Sequence, residues 1–334
     1  METRLLTEGQ TSIAAEIING GGLVAARTET VYGLCADATN ADAVNKIFVA
    51  KGRPSDNPLI VHFSGIKMLA EYFDLSELQQ RLLSIPSLTL LLPFDSFKLP
   101  VAQLVTGGNP NVAVRIPSCR FTRKLIDACG VPLAAPSANT STRPSPTTWE
   151  AVQEDLTGKI DAIVKGGCTK CGVESTVVQL DNNKLVVLRH GAVPANKLTE
   201  LTGLDVVDSA TFDQSKQSPG TRFLHYAPCV PMLLAKNSAG LPEMIVRIHK
   251  FAKTTPAVVI APTKHKKFYD LPIILLGKNP KQIYRRFYTS IRRAEKLAMQ
   301  LSPETVIIME DLPHDKVFET LHDRIQKATQ GRVI

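Results

Sequence analysis

At 334 residues, 44% hydrophobic and 21% charged, the chain has the composition of an ordinary globular protein with room for two domains. No apolar run has the length needed to cross a bilayer, and residues 1–9 lack the basic start and apolar core of a secretory signal, so a cytoplasmic protein without membrane contact is expected. The net charge of +8 is unevenly held. Residues 1–215 carry 19 Lys+Arg against 22 Asp+Glu, whereas residues 216–334 carry 20 against 9. A basic second half suits a polyanion such as RNA, although a solvated lysine-rich surface fits equally.

The spacing predicts a helix over 10–19, with Ile13, Ile17 and Ile18 on one face and Gly20-Gly21-Gly22 as its stop. Residues 23–26 read as a buried strand, broken by polar Thr28-Glu29-Thr30. Asn40 caps a helix to about 50. A strand over 59–62 is followed by one or two helices through 84, then strands over 88–92 and 112–116. A helix over about 120–129 leads to a strand at 131–135, and Thr147-Thr148-Trp149-Glu150 opens another helix with a capping-box pattern. Strands over 160–164, 175–180 and 184–188 close this half, the last two as a hairpin over Asp181-Asn182-Asn183. From 204 to 217 the pattern dissolves into polar residues. Beyond it, strands over 232–235, 257–260, 273–276 and 306–309 alternate with helices over about 242–252, 280–300 and 316–329. That alternation predicts a small parallel sheet, whereas parallel and antiparallel signals mingle in the first half.

The six cysteines, 35, 119, 129, 168, 171 and 229, read as reduced thiols. Cys168 and Cys171 form the one close pair, and no second Cys/His pair follows to complete a zinc site. No protein-held metal is expected.

Two stretches carry the chemistry. Lys51-Gly52-Arg53-Pro54 sets two cations about a glycine and leads to a strand ending in His62. Ala134-Ala135-Pro136-Ser137-Ala138-Asn139 breaks an apolar strand into prolines, a hydroxyl and an amide, with Arg143 and Ser145 beyond. The X-Pro steps keep both out of regular helix, and cations with hydrogen-bond donors suit phosphate. Arg115, at the end of an apolar strand, is either held in a site or paired with a carboxylate. The chain has no Walker-A loop, no Gly-x-Ser-x-Gly elbow and no His-Glu-x-x-His. This inventory favours a reaction driven by positioning and charge neutralisation, such as nucleotidyl transfer.

Together with Thr28-Glu29-Thr30-Val31-Tyr32-Gly33-Leu34, Val112-Ala113-Val114-Arg115-Ile116-Pro117, Gly172-Val173-Glu174-Ser175-Thr176 and Leu188-Arg189, these blocks resemble the YrdC-type family of L-threonylcarbamoyladenylate synthases in its longer two-domain form. The Ser218-Pro219-Gly220 and His225-Tyr226-Ala227-Pro228 segments are similar to the linker of the long form. The resemblance implies an α/β fold, with a twisted mixed-sheet YrdC-like domain and basic cavity at 1–203. A linker at 204–229 would cover the active site, and 230–334 would form a smaller Rossmann-like α/β C-terminal domain. It implies that L-threonine, bicarbonate and ATP yield L-threonylcarbamoyl-AMP and pyrophosphate, with Mg²⁺ brought by ATP. Downstream tRNA threonylcarbamoyl transferase proteins would use the product, and a tRNA contact through the basic C-terminal domain stays open.

By the same resemblance Lys51 and Arg53 are catalytic and bind the nucleotide. Asn111, Ser137, Asn139, Ser145, Arg189, His225 and Tyr226 join them on the ATP side. Thr28, His62, Arg115, Ala135 and Ser175 surround threonine. The chain departs from the family pattern at Arg27, Ser84-Ile85-Pro86-Ser87, Asn111 and His190. Two other readings fit parts of the sequence: a non-catalytic double-stranded RNA or tRNA-binding protein, and a carbamoyl transferase of the hydrogenase-maturation kind. The second lacks its expected paired Cys-x-x-Cys fingers.

Overall fold

The structure is a computed structural model, and it describes residues 2–208 and 225–334. It divides into two compact units, Met1–Ser141 with Ser145–Arg222, and Thr142–Pro144 with Phe223–Ile334.

In the first unit the order is β1 (Arg4–Thr7), α1 (Thr11–Asn19), β2 (Val24–Arg27), β3 (Tyr32–Asp37), α2 (Ala41–Lys51), β4 (Ile60–His62), α3 (Ile66–Tyr72), α4 (Glu77–Leu83) and β5 (Leu88–Pro93). There follow β6 (Asn111–Arg115), α5 (Arg120–Cys129), β7 (Leu133–Ala134), α6 (Trp149–Leu156), β8 (Ala162–Lys165), β9 (Thr176–Asp181), β10 (Lys184–Arg189), α7 (Ala195–Thr202) and β11 (Asp205–Asp208). Among the described residues these strands make one mixed sheet, ordered β1-β8-β2-β3-β7-β4-β6-β5-β9-β10-β11. One face packs on α2 through Val44, Ile47 and Phe48. The other packs on α1 and α5 through Ile18, Leu125 and Ile126. A sheet covered on both faces needs near-continuous apolar strands, which is why β5 reads Leu-Thr-Leu-Leu-Leu.

Side-chain capping sets the starts of α2, α4 and α6. Asn40 Oδ1 accepts the amides of Asp42 and Ala43 at the start of α2. Thr148 caps α6, so that helix opens one residue later than the capping pattern at 147 suggests. The β9–β10 hairpin forms as expected, with Asn182 at φ 44° and Asn183 at φ 64°. Two left-handed residues in a two-residue loop match the right-handed twist of the strands. Three strands were not expected: β1, β3 and β11. β3 lies in the middle of the sheet, paired with β2 and β7.

The second unit contains β12 (Met232–Ala235), α8 (Leu241–Ala252), β13 (Ala257–Ala261), β14 (Ile273–Leu275), α9 (Pro280–Leu301), β15 (Val306–Glu310) and α10 (Glu319–Thr329). Its sheet, ordered β12-β15-β13-β14, is parallel in each described pairing, as the alternation predicted. Arg143 donates to both oxygens of buried Glu295 on α9, at 2.5 and 2.9 Å, inside this unit. No helix among the described residues is long and apolar enough to cross a membrane.

Candidate active site

Lys51 ends α2, and Gly52 behind it stands at φ 59°, the left-handed position that stops a helix. Its side chain is 1% exposed. The ammonium donates to the carbonyls of Ser137 and Asn139, both at 2.5 Å, while the amide of Ser141 returns a bond to the Lys51 carbonyl. The two stretches singled out in the sequence are therefore laced together directly. Burial, then the neighbouring Arg53 guanidinium, pushes the Lys51 amine well below the ordinary lysine range. Arg53 holds its own loop, donating to the Asn57 side chain at 2.6 Å and the Pro58 carbonyl at 2.8 Å.

The second of these stretches continues from β7 alongside β3. Gly33 bridges Ser137, and the amides of Leu34 and Ala138 bond across. A Cβ on Gly33 would stand 3.4 Å from the Ala135 methyl and 3.8 Å from Thr28. This places Thr28, Ala135 and Ser137 around one glycine. The Thr28 hydroxyl closes its turn onto the Val31 carbonyl at 2.6 Å.

Arg115 and His62 are register partners at the ends of β6 and β4. Arg115 is buried and paired with Glu29 at 2.5 Å, and it also donates to Thr30 at 3.0 Å. Its Nε has no partner among the described residues. Glu29 gathers further donors, Ser87 Oγ and the Ser118 amide. Burial alone would raise this carboxyl, but the charge of Arg115 and its hydrogen bond outweigh that and hold it below the carboxylate range. The His62 ring is pushed down to about 3, first by burial and then by Arg115. With Nδ1 facing the Ile60 carbonyl at 3.1 Å, the neutral ring keeps its lone pair on Nε2.

Ser175 follows a segment that crosses beside the Thr28–Val31 turn. The amides of Lys170, Cys171 and Gly172 bond to the carbonyls of Glu29 and Thr30. Ser145 donates to buried Glu174 at 2.6 Å. Arg189 donates to the Ser175 carbonyl at 2.8 Å and hydroxyl at 3.1 Å, and that hydroxyl also meets Thr89 at 2.7 Å. A cavity of about 500 Å³ opens over Glu29 and is lined by Arg27, Arg120, Lys124 and Lys170 among others. Asn111 stands apart at the start of β6, opposite Pro93. His225 and Tyr226 belong to the second unit, where Tyr226 lies 5.3 Å from the Tyr288 ring and 5.1 Å from the Arg324 guanidinium carbon. The expected covering linker falls mostly on residues 209–224, outside the described residues.

Glu29 is the residue that sequence reasoning passed over as a polar break. The signal is present: a carboxylate between threonines inside an apolar run needs a buried cation, and Arg115 at the end of an apolar strand needs a site or a carboxylate.

The family model described as Telomere recombination, the Sua5/YciO/YrdC model, matches residues 16–191. Another, described as Threonylcarbamoyl-AMP synthase, C-terminal domain, matches residues 193–330. The chain belongs to the Sua5/YciO/YrdC family. Among its relatives, the threonylcarbamoyl-AMP synthase of Pyrococcus abyssi is 34% identical over 98% of this chain and 96% of its own. That of Bacillus subtilis is 36% identical over 97% and 94%. The crystal structure of P. abyssi Sua5 complexed with L-threonine superposes with a TM-score of 0.87 at 32% identity, covering 99% of both chains. Family membership in the long form thus extends through the second unit as well as the first.

Proposed function

We propose that this chain is a threonylcarbamoyl-AMP synthase, joining L-threonine, bicarbonate and ATP into L-threonylcarbamoyl-AMP with release of pyrophosphate and of the water lost when amine and bicarbonate form the carbamate. The observation that carries the reading is the buried Lys51 ammonium, which binds the Ser137 and Asn139 carbonyls and makes one cationic cradle of two distant loops. An ammonium has three donors. Two are occupied here, and the third is assigned to a phosphate oxygen, with Arg53 beside it. On the nucleotide side we place Asn111, Ser137, Asn139, Ser145 and Arg189. On the threonine side we place Thr28, His62, Arg115, the Ala135 backbone and Ser175.

The threonine carboxylate suits Arg115, whose Nε lacks a partner among the described residues. The Nε2 lone pair of neutral His62 suits the threonine hydroxyl. Held in this way, an oxygen of the threonine carbamate attacks the α-phosphorus. The bond from that phosphorus to the bridging oxygen breaks, and pyrophosphate leaves with the electron pair. Catalysis rests on orientation and on fixed cations facing the developing charge. Mg²⁺, when bound, supplies further neutralisation of the phosphates. The donor set fits a metal that arrives with the nucleotide, because buried Glu29 is engaged by Arg115 and buried Glu174 by Ser145. We assign a cytoplasmic setting, delivery of the product to tRNA threonylcarbamoyl transferase proteins, and a tRNA contact to the basic second unit.

Pyrophosphate release in ATP, bicarbonate, Mg²⁺ and threonine tests the reading. Release should require threonine and fall at least about 100-fold in Arg53→Ala. Threonine-independent release, or full activity in that variant, would sink it.

A further inference from the structure

The carboxyl end of the second unit's parallel sheet carries an unassigned cluster. Asp311 follows the last residue of β15, its amide bonded to the Ala235 carbonyl at the end of β12. In open α/β sheets this end is where ligands bind. His314 lies three residues on, and His322 reaches back from α10. One carboxylate oxygen of Asp311 meets His314 Nε2 at 2.9 Å, and the other lies 3.8 Å from His322 Nδ1. The two imidazoles stack 4.2 Å apart at an interplanar angle of 14°. All three ligand atoms lie within 4.8 Å of one another.

Two further observations point to a bound cation. The Asp311 side chain is 3% exposed, and its Oδ1 has no hydrogen-bond partner among the described residues. A buried carboxylate oxygen left unmet costs free energy unless something positive faces it. The outer contacts are also those of a metal site. His322 Nε2 stands 3.1 Å from the Pro313 carbonyl. A proton on Nε2 satisfies that carbonyl and leaves Nδ1 bare toward Asp311. Asp311 Oδ2 is fixed by the Asn237 amide at 3.0 Å. Histidine ligands are commonly oriented by donating their second nitrogen to a backbone carbonyl in this way.

We propose that Asp311, His314 and His322 form a divalent transition-metal site on the second unit. One carboxylate and two imidazoles suit Zn²⁺, with Co²⁺ as its spectroscopic substitute, and disfavour Mg²⁺ and Ca²⁺, which take oxygen ligands. The His314 side chain is 71% exposed, so the remaining coordination positions open to solvent and take water or an external donor. All three residues belong to the second unit, and a metal titration does not depend on the proposed chemistry.

Isothermal titration of the full chain with Zn²⁺ should give one site, unaffected by millimolar Mg²⁺. Titration with Co²⁺ should give visible absorption of four- or five-coordinate cobalt. Affinity should fall roughly 100-fold or more in Asp311→Asn, His314→Ala and His322→Gln. His249→Ala, which alters a histidine outside the cluster, should leave it unchanged. Because His314 is exposed, His314→Ala keeps the fold, and an unchanged thermal melt separates loss of a ligand from loss of structure. Zinc held by Cys168 and Cys171 would survive every one of these substitutions. Such survival, or absence of stoichiometric uptake by the unaltered chain, would overturn the proposal.

Discussion

His62 is a histidine whose fold keeps it neutral. Its ring titrates near 3 in the native chain against about 6.5 when unfolded. Between those values the unfolded chain binds a proton that the native chain refuses, so stability falls as pH falls, by about 1.4 kcal/mol per pH unit. The contribution is complete above about pH 6.5 and is lost progressively toward pH 3. Replacing His62 by glutamine removes this term and leaves the carboxylates in place. From pH 6.5 to 4, urea unfolding should show the unaltered chain losing about 3 kcal/mol more than His62→Gln; parallel losses would refute the neutral, buried ring. Lys51 is as deeply buried but has a different duty, since at 1% exposure its amine donates to two carbonyls.

At the scale of elements, the β9–β10 hairpin aims a guanidinium. Val187 pairs with Val178 but Arg189 pairs with Val177, so a bulge intervenes and turns Arg189 onto Ser175. Gly191 then passes so close that an added Cβ would lie 2.3 Å from the Ser175 carbonyl carbon and 2.4 Å from the Thr176 nitrogen. Gly191→Ala must displace that backbone, and both the hairpin and the Arg189 contact move with it. The expected result is a loss of about 2–3 kcal/mol by urea unfolding, together with reduced pyrophosphate release. A neutral substitution would show that the close approach is dispensable. The hairpin itself was legible from Asp181-Asn182-Asn183, because its turn chemistry is local. β1 and β11 were not, since four-residue strands at the sheet's ends acquire their state from distant partners, Arg4 from Ala162 and Asp205 from Lys184. β3 was hidden by the polar Thr28-Glu29-Thr30 turn before it and by Gly33, which weakens a strand pattern yet makes room beside Thr28 and Ala135. Asp311, His314 and His322 were likewise invisible as a group. Their spacing matches no compact zinc motif, and only the return of α10 brings His322 to the other two.

Over the whole molecule, charge and chemistry are divided. The proposed catalytic residues of the first unit lie in a half whose net charge is slightly negative, while residues 216–334 carry 20 Lys+Arg against 9 Asp+Glu. On α9 Lys281, Arg285, Arg286, Arg293 and Lys296 are exposed. If this surface meets tRNA as proposed, binding should weaken steeply between about 50 and 200 mM salt, and Arg285→Glu with Arg286→Glu should lower the log–log slope by roughly two. Binding indifferent to salt would reject the contact. The second unit's parallel sheet was legible from strand–helix alternation alone, whereas its claim on three residues of an earlier loop was not. Thr142–Pro144 count with that unit, and Arg143 neutralises a Glu295 carboxylate that is only 5% exposed. The second unit is therefore not encoded as a single block. A chimaera that exchanges it with a relative at a break near residue 204 would transplant one half of an ion pair and leave the other behind. Homologous recombination within this family would be expected to succeed only where positions 143 and 295 already agree between the parents.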